Sequence, residues 1–271
     1  MRKFLLILRR AFFNALMDGC FGIAKGAAYS GLLSLFPFLS SLAAILVQAN
    51  AAAVSEYLAR FLLEVVPPGT ADMVRYQFTS RGQRPVWLLL GAMLLSVWAA
   101  ASLMESLMEG FRAAYRLPTG RGILKDRMVA IVLVFVAAVP AVGASLLVLS
   151  GSRLQQFLFP ASGWMHGITQ ALTTAISFGT IVLVVALLYF IGPNRPMKWR
   201  DVWPGAWIAS FLWFLVTLIF SWYVENLANY NVMYGTVGGV IAMVVWIYLL
   251  SAIALFGCEF NAERERLRRA R

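Results

Sequence analysis

The sequence predicts an all-α, polytopic membrane fold: a six-helix transmembrane bundle with an N-terminal interfacial helix and short amphipathic helices in the first outer loop. Three observations carry this. Of 271 residues, 61% are hydrophobic and only 13% charged, and the mean hydropathy is +0.77, far from the balance of a soluble domain. The apolar residues fall into runs of about 20, the length a helix needs to cross a hydrocarbon core of about 30 Å while pairing its own backbone groups. The charged residues collect between those runs, with Lys and Arg concentrated on one side.

Residues 2–17 carry Arg2, Lys3, Arg9 and Arg10 among aromatic and aliphatic side chains. Arg9 and Arg10 interrupt the apolar run too early for a cleavable signal, so this segment is expected as a helix on the cytoplasmic membrane surface. The first span, 26–48, is uncharged. At 100° per residue Gly26, Ser30, Ser34, Pro37, Ser41, Ala44 and Gln48 share one narrow stripe, with Leu32, Leu35, Leu39, Leu42 and Leu46 opposite, facing lipid. Pro37 removes a backbone donor in mid-span and frees the carbonyl of Leu33. The stripe has two readings: a packing seam, in which small residues let helices approach closely, or the wall of a solute or lipid pathway.

Residues 50–84 form the longest polar connection. Within it Val54, Tyr57, Leu58, Phe61, Leu62 and Val65 recur at helical spacing until Pro67-Pro68-Gly69, which predicts amphipathic helices packed on the outer face. The second span, 85–104, places Trp87 at an interface. It is expected to emerge at Glu105 into a charged loop reaching Arg127, where Glu105 and Glu109 stand four apart on one helical face. The third span, 128–150, carries Pro140 near its middle. The fourth, 167–191, repeats Thr169, Thr173, Ser177 and Thr180 as a second polar stripe and ends at Gly192-Pro193, a helix stop. Pro204-Gly205 opens the fifth span, 204–224. The sixth, 234–258, begins with Gly235 and Gly239, a small-xxx-small pair suited to close helix packing within the chain or in a homo-oligomer. Glu259 follows, then a basic tail.

Counting Lys and Arg on alternate sides of these spans gives 18 against 5. The positive-inside rule then makes both termini cytoplasmic, and the net charge of +11 is explained by orientation and anionic headgroups, with no nucleic acid needed. Cys20 and Cys258 form no CxxC or Cys/His pattern, so neither a disulfide framework nor a metal or other cofactor is expected. The single histidine, His166, stands without a nucleophile or carboxylate constellation.

The segment from Ala27 to Pro37, AAYSGLLSLFP, resembles the first-span signature of the YihY/BrkB family. So do Pro193 with Trp199 to Ala206, Tyr223 with Tyr234 to Ile241, Trp246-Ile247-Tyr248, and Gly257 to Ala262. The resemblance covers essentially the whole chain. Cys258 departs from it, standing where a small residue is common before the glutamate. The family implies a bacterial inner-membrane protein of about six spans, under labels that include ribonuclease BN-like and virulence factor BrkB.

A nuclease needs groups that activate water and stabilise a leaving oxygen, and the sequence shows no such constellation, so enzymatic activity is not expected. A transporter or lipid-handling translocase fits the kinked spans and the two polar stripes, with Ser30, Ser34, Pro37, Ser41, Gln48, Thr173, Ser177 and Thr180 as pathway or packing residues. No span holds an ionisable side chain in its core, which disfavours carboxylate coupling. Glu105, Glu109 and Glu259 at the cytoplasmic edge are the carboxylates left for any such role. The alternative is a non-transporting envelope scaffold that recruits lipids or partner proteins.

Overall fold

The computed structural model of the chain describes residues 2–48, 86–118, 120–158, 163–226 and 236–270. These residues form α1 (Arg2–Met17), α2 (Cys20–Gln48), α3 (Val86–Ala114), α4 (Ile123–Leu158), α5 (Gly163–Ile191), α6 (Trp199–Asn226) and α7 (Thr236–Arg269), with no strand among them. Five of the helices, α3 to α7, are long and apolar enough to cross a membrane by the described residues alone. The first predicted span lies within α2, which continues through Pro37 as one 29-residue helix. The amphipathic helices expected between 50 and 84 fall outside the described residues.

One predicted loop is corrected. The second span does not give way to a loop at Glu105: α3 runs on to Ala114, so Glu105, Glu109 and Arg112 are helical. Leu107, Met108, Phe111 and Ala114 are all buried in this added stretch, and that apolar face keeps the helix going where charge begins. Charge density marks the edge of the hydrocarbon, not the end of the helix. Beyond the predicted sixth span, α7 likewise continues as helix to Arg269, with Leu255, Cys258 and Ala262 on its buried side. A second correction concerns α2: Leu39, expected to face lipid, is 2% exposed. The close-packed face of α2 is instead Cys20, Ala24, Ala27, Ala28 and Gly31, where a Cβ on Gly31 would stand 2.7 Å from Leu103 of α3 and 3.0 Å from Ile247 of α7.

Among the described residues the larger core lies at one end of the bundle, with a smaller cluster around Phe220 and Ala242 farther along α6 and α7. The buried members of the larger core come from the end of α1, the start of α2, the second half of α3, the start of α4, the end of α5, the start of α6 and the end of α7, as an up-and-down order requires. Phe111 and Tyr189 meet edge to face there, 5.4 Å between centroids, and the Tyr189 hydroxyl donates to the Ala254 carbonyl at 2.6 Å. Gly205 of α6 and Gly257 of α7 bring two backbones together: a Cβ on Gly257 would lie 2.7 Å from the Gly205 carbonyl oxygen. Away from this end the helices show apolar side chains outward, including Leu90 and Leu94 on α3, Val139 and Val142 on α4, and Leu172 and Ile176 on α5. Apolar surface on that scale belongs against lipid.

The turn after α3 is closed by its own backbone. Arg116 adopts φ 52°, Leu117 N–H donates to the Arg112 carbonyl at 3.0 Å, and Arg116 N–H to that of Ala113 at 2.8 Å. This is a Schellman motif with arginine where glycine usually stands.

Candidate functional site

Glu259, Glu263 and Arg266 are spaced four and three apart, so they share one face of α7. That face looks toward α1 and the end of α3. Glu259 is fully buried, with 0% exposure. Arg266 Nη1 donates to Glu259 Oε1 at 3.0 Å and to Glu263 Oε2 at 3.2 Å, while Nη2 donates to the carbonyl of Ala114, the last residue of α3. A guanidinium on that carbonyl satisfies an orphan acceptor and complements the negative end of the helix dipole. Glu263 also accepts from Asn14 Nδ2 at 3.1 Å and Arg10 Nη1 at 3.5 Å. One arginine thus ties α7 to α3, and one glutamate ties α7 to α1.

The second oxygen of Glu259 is buried without a hydrogen-bond partner, and so is Oδ2 of Asp18 in the turn between α1 and α2. The two carboxylates lie within electrostatic range of each other. Beside them sits Cys20, whose thiol is pushed up to about 12 by burial first and then by the charges of Glu259 and Asp18. A buried polar group left unpaired costs free energy, so this corner is held against its own preference by the packing around it.

Further arginines clamp the remaining helix ends. Arg121 donates to the carbonyls of Ile191 (2.7 Å), Gly192 (3.2 Å) and Pro193 (3.3 Å), closing the end of α5. Arg112 pairs with Asp126 at 3.0 Å. Arg195 pairs with Glu265 at 2.6 Å and lies 4.4 Å over the ring of Tyr115, whose phenol is raised above its ordinary value by burial. Asn261 is spent inside the protein: its Oδ1 accepts from Gly205 N–H at 2.7 Å and its Nδ2 donates to the Val202 carbonyl at 2.9 Å.

The three carboxylates singled out in the sequence separate. Glu105 accepts from Arg127 at 2.6 Å, and the same guanidinium lies 3.9 Å over Trp98 and donates to its carbonyl at 2.7 Å. Glu109 is exposed on the helix surface. Glu259, by contrast, is buried within the protein at the same polar end. Of the polar stripes, Ser30, Ser34 and Pro37 are half-buried, and Ser34 Oγ donates to its own helix at the Gly31 carbonyl, 2.8 Å away. Thr180 does likewise to Ile176 at 2.8 Å, Ser177 is exposed, and Thr173 is half-buried. The side chains of Ser41 and Gln48, with Gly235, lie outside the described residues, while Gly239 is buried. Among the described residues no group of three or more His, Cys, Asp or Glu is placed to hold a metal ion.

Sequence reasoning missed Arg266, Asn261, Tyr189 and the Gly205–Gly257 contact. The spacing of Glu259, Glu263 and Arg266 was available as a signal. Gly205 stood in a Pro-Gly pair that suggested only the opening of a helix.

Comparison with known proteins gives consistent relatives. A family model described as Virulence factor BrkB matches residues 11–271. A protein of Bacillus subtilis carrying a ribonuclease-like name, YfkH, is 29% identical over 247 residues, covering 89% of each chain. A UPF0761 membrane protein of Alteromonas mediterranea is 28% identical over 236 residues, 86% of this chain and 79% of its own. Another UPF0761 membrane protein, from Chromobacterium violaceum, is 30% identical over 251 residues, 89% of this chain and 57% of its own. No solved structure matches the chain.

Proposed function

The chain belongs to the virulence factor BrkB family, and from that premise we propose that it is a lipid-handling translocase of the bacterial inner membrane, crossing six times with both termini cytoplasmic. The polar end of the bundle is then the cytoplasmic end. The 18-to-5 division of Lys and Arg supports this orientation, and the exposed Phe4, Leu5, Phe12 and Phe13 of α1 suit burial in the headgroup region.

One observation carries the functional part. The small, polar stripe of α2 is not its packed face. Gly26 is exposed and Ser30, Ser34 and Pro37 are half-exposed, while Ala24, Ala27, Ala28 and Gly31 next to them are buried. A weakly polar track open toward lipid offers a headgroup hydroxyls and a route along the protein surface while its acyl chains stay in the bilayer. Arg266 and Arg121 hold helix ends, and none of the six predicted spans carries Asp or Glu in its core, which disfavours ion coupling through an acid.

The test uses the purified chain with Cys20→Ala and Cys258→Ala, reconstituted in liposomes containing a fluorescent phospholipid that dithionite quenches in the outer leaflet. Lipid transit should carry quenching beyond the outer-leaflet half, and Ser30→Leu with Ser34→Leu should abolish the excess. Cysteines at Ser30 and Ser34 should react with a thiol reagent faster than one at Leu39. Quenching that stops at half with wild-type protein, together with equal protection at all three positions, rejects the proposal.

A further inference from the structure

A cavity of about 400 Å³ opens between α1, the start of α6 and the end of α7, a volume within the range of small-molecule sites. Its charge is unbalanced. The two acids in its wall are already engaged: Asp201 accepts from Arg268 at 2.9 Å, and Glu265 accepts from Arg195 and Arg269, both at 2.6 Å. Asn261, also in the wall, has both amide atoms bonded within the protein. Lys3 and Arg264 face the same space, and neither has an ion-pair partner among the described residues. Arg10 adds a third cation, held only by a 3.5 Å contact to Glu263 with its side chain 53% exposed. Leu6, Ile7 and Leu267 supply an apolar side.

We infer that this cavity binds a phosphate ester, with Lys3 and Arg264 on the phosphate oxygens and the Leu6 side against the carbon skeleton. Two unpaired cations in a partly enclosed site favour an anion, and guanidinium matches phosphate geometry. The neighbouring exposed face of α1 favours the headgroup of an anionic phospholipid as the source over a soluble phosphate ester. The inference rests on the placement of this end at a membrane surface proposed above. It is distinct from the α2 stripe: it assigns a resting or regulatory headgroup position at the polar end, away from the transit route.

The experiment titrates short-chain phosphatidylglycerol, short-chain phosphatidylcholine and glycerol 3-phosphate into the full chain in neutral detergent, by calorimetry at low and high salt. Phosphatidylglycerol should bind more tightly than phosphatidylcholine and weaken with salt. Lys3→Gln with Arg264→Gln should weaken it about tenfold or more, given the usual worth of two basic residues at a lipid surface. Lys3→Arg with Arg264→Lys should retain binding, as should Lys125→Gln on α4, outside the cavity. Glycerol 3-phosphate binding as tightly as the lipid, with the same dependence on Lys3 and Arg264, supports the phosphate site and assigns it to a soluble ester. Equal binding of the two lipids, or equal binding by wild type and the Gln pair, overturns the inference. Lipid transit in the liposome assay stands or falls separately, since the Gln pair leaves the α2 stripe untouched.

Discussion

Replacing Arg266 by alanine removes three interactions in one step: to Glu259 at 3.0 Å, to Glu263 at 3.2 Å and to the end of α3. At 3.0 Å and an effective dielectric of about 20, the Arg266–Glu259 attraction is about 5.5 kcal/mol before desolvation. What matters for the variant is the group left behind. Glu259 would keep no hydrogen bond on either oxygen, because Oε2 already has none, in a site with no exposure. Breaking a buried pair from one side costs about 3–5 kcal/mol. Arg266 is itself 30% exposed, so water can reach part of the vacated space and the lower end, about 3 kcal/mol, is expected. Adding Glu259→Gln removes the stranded charge and should restore about half of the loss, a coupling that independent sites would not show. Thermal unfolding of the purified chain in neutral detergent reads both, with a fall of about 6–12 °C expected for the single variant. A fall under about 2 °C, or a double variant no better than Arg266→Ala, would refute the view that Arg266 is what makes burial of Glu259 tolerable.

Three further outcomes follow from neighbouring geometry. Cys20, pushed up to about 12, should be about one part in ten thousand thiolate at pH 8; alkylation of the native protein should stay slow from pH 7 to 9 and become fast only after unfolding, as read by intact mass. Gly205→Ala places a methyl against the Gly257 carbonyl and Asn261, and should cost about 1–3 kcal/mol or more. Gly91→Ala and Gly179→Ala, with nothing within 4 Å of the added carbon, should be neutral or gain up to about 1 kcal/mol from helix propensity in the same melt. Arg121→Ala frees the last carbonyls of α5 and should cost about 1–2 kcal/mol, seen as faster hydrogen exchange confined to the end of α5 if the clamp is local.

What was legible in the sequence is what the hydrocarbon dictates. Apolar runs located the helices that became α2 to α7, and the basic, aromatic opening gave α1 with the bounds expected. The errors share a cause. At Glu105 a change from apolar to charged residues looked like the start of a loop, yet Leu107, Met108 and Phe111 keep the apolar period going, and the interleaved arginines cap neighbouring helices. The burial of Glu259 was not legible, because it comes from Arg266 two turns along the same face and from α1 and α3, far off in the chain. The α2 wheel assigned Leu39 to lipid since a helical wheel knows periodicity but not which side the neighbours occupy. Gly205 and Gly257 were invisible as a pair, being 52 residues apart and joined only by the crossing of α6 and α7.

The distribution of polar groups bears on how such a bundle could move a lipid. Arg266, Arg121, Arg195 and Asn261 each join different helices at one end, and the densest apolar packing lies at the same end. Removing Arg266 or Asn261 leaves a buried acceptor or charge unsatisfied, so that end should behave as a rigid base. Farther along α3, α4 and α5 many of the exposed side chains are large and apolar, a surface that lipid can cover. The described hydroxyl bonds on the stripes run back to their own helices, Ser34 to Gly31 and Thr180 to Ile176, and do not lock one helix to another. A base clamped by arginines, with largely apolar surfaces on the described helices above it, favours lateral opening at that level over opening at the base. The same division separates the two uses of charge at the polar end: arginines already paired hold the fold, and Lys3 and Arg264, left unpaired, are free to meet a headgroup.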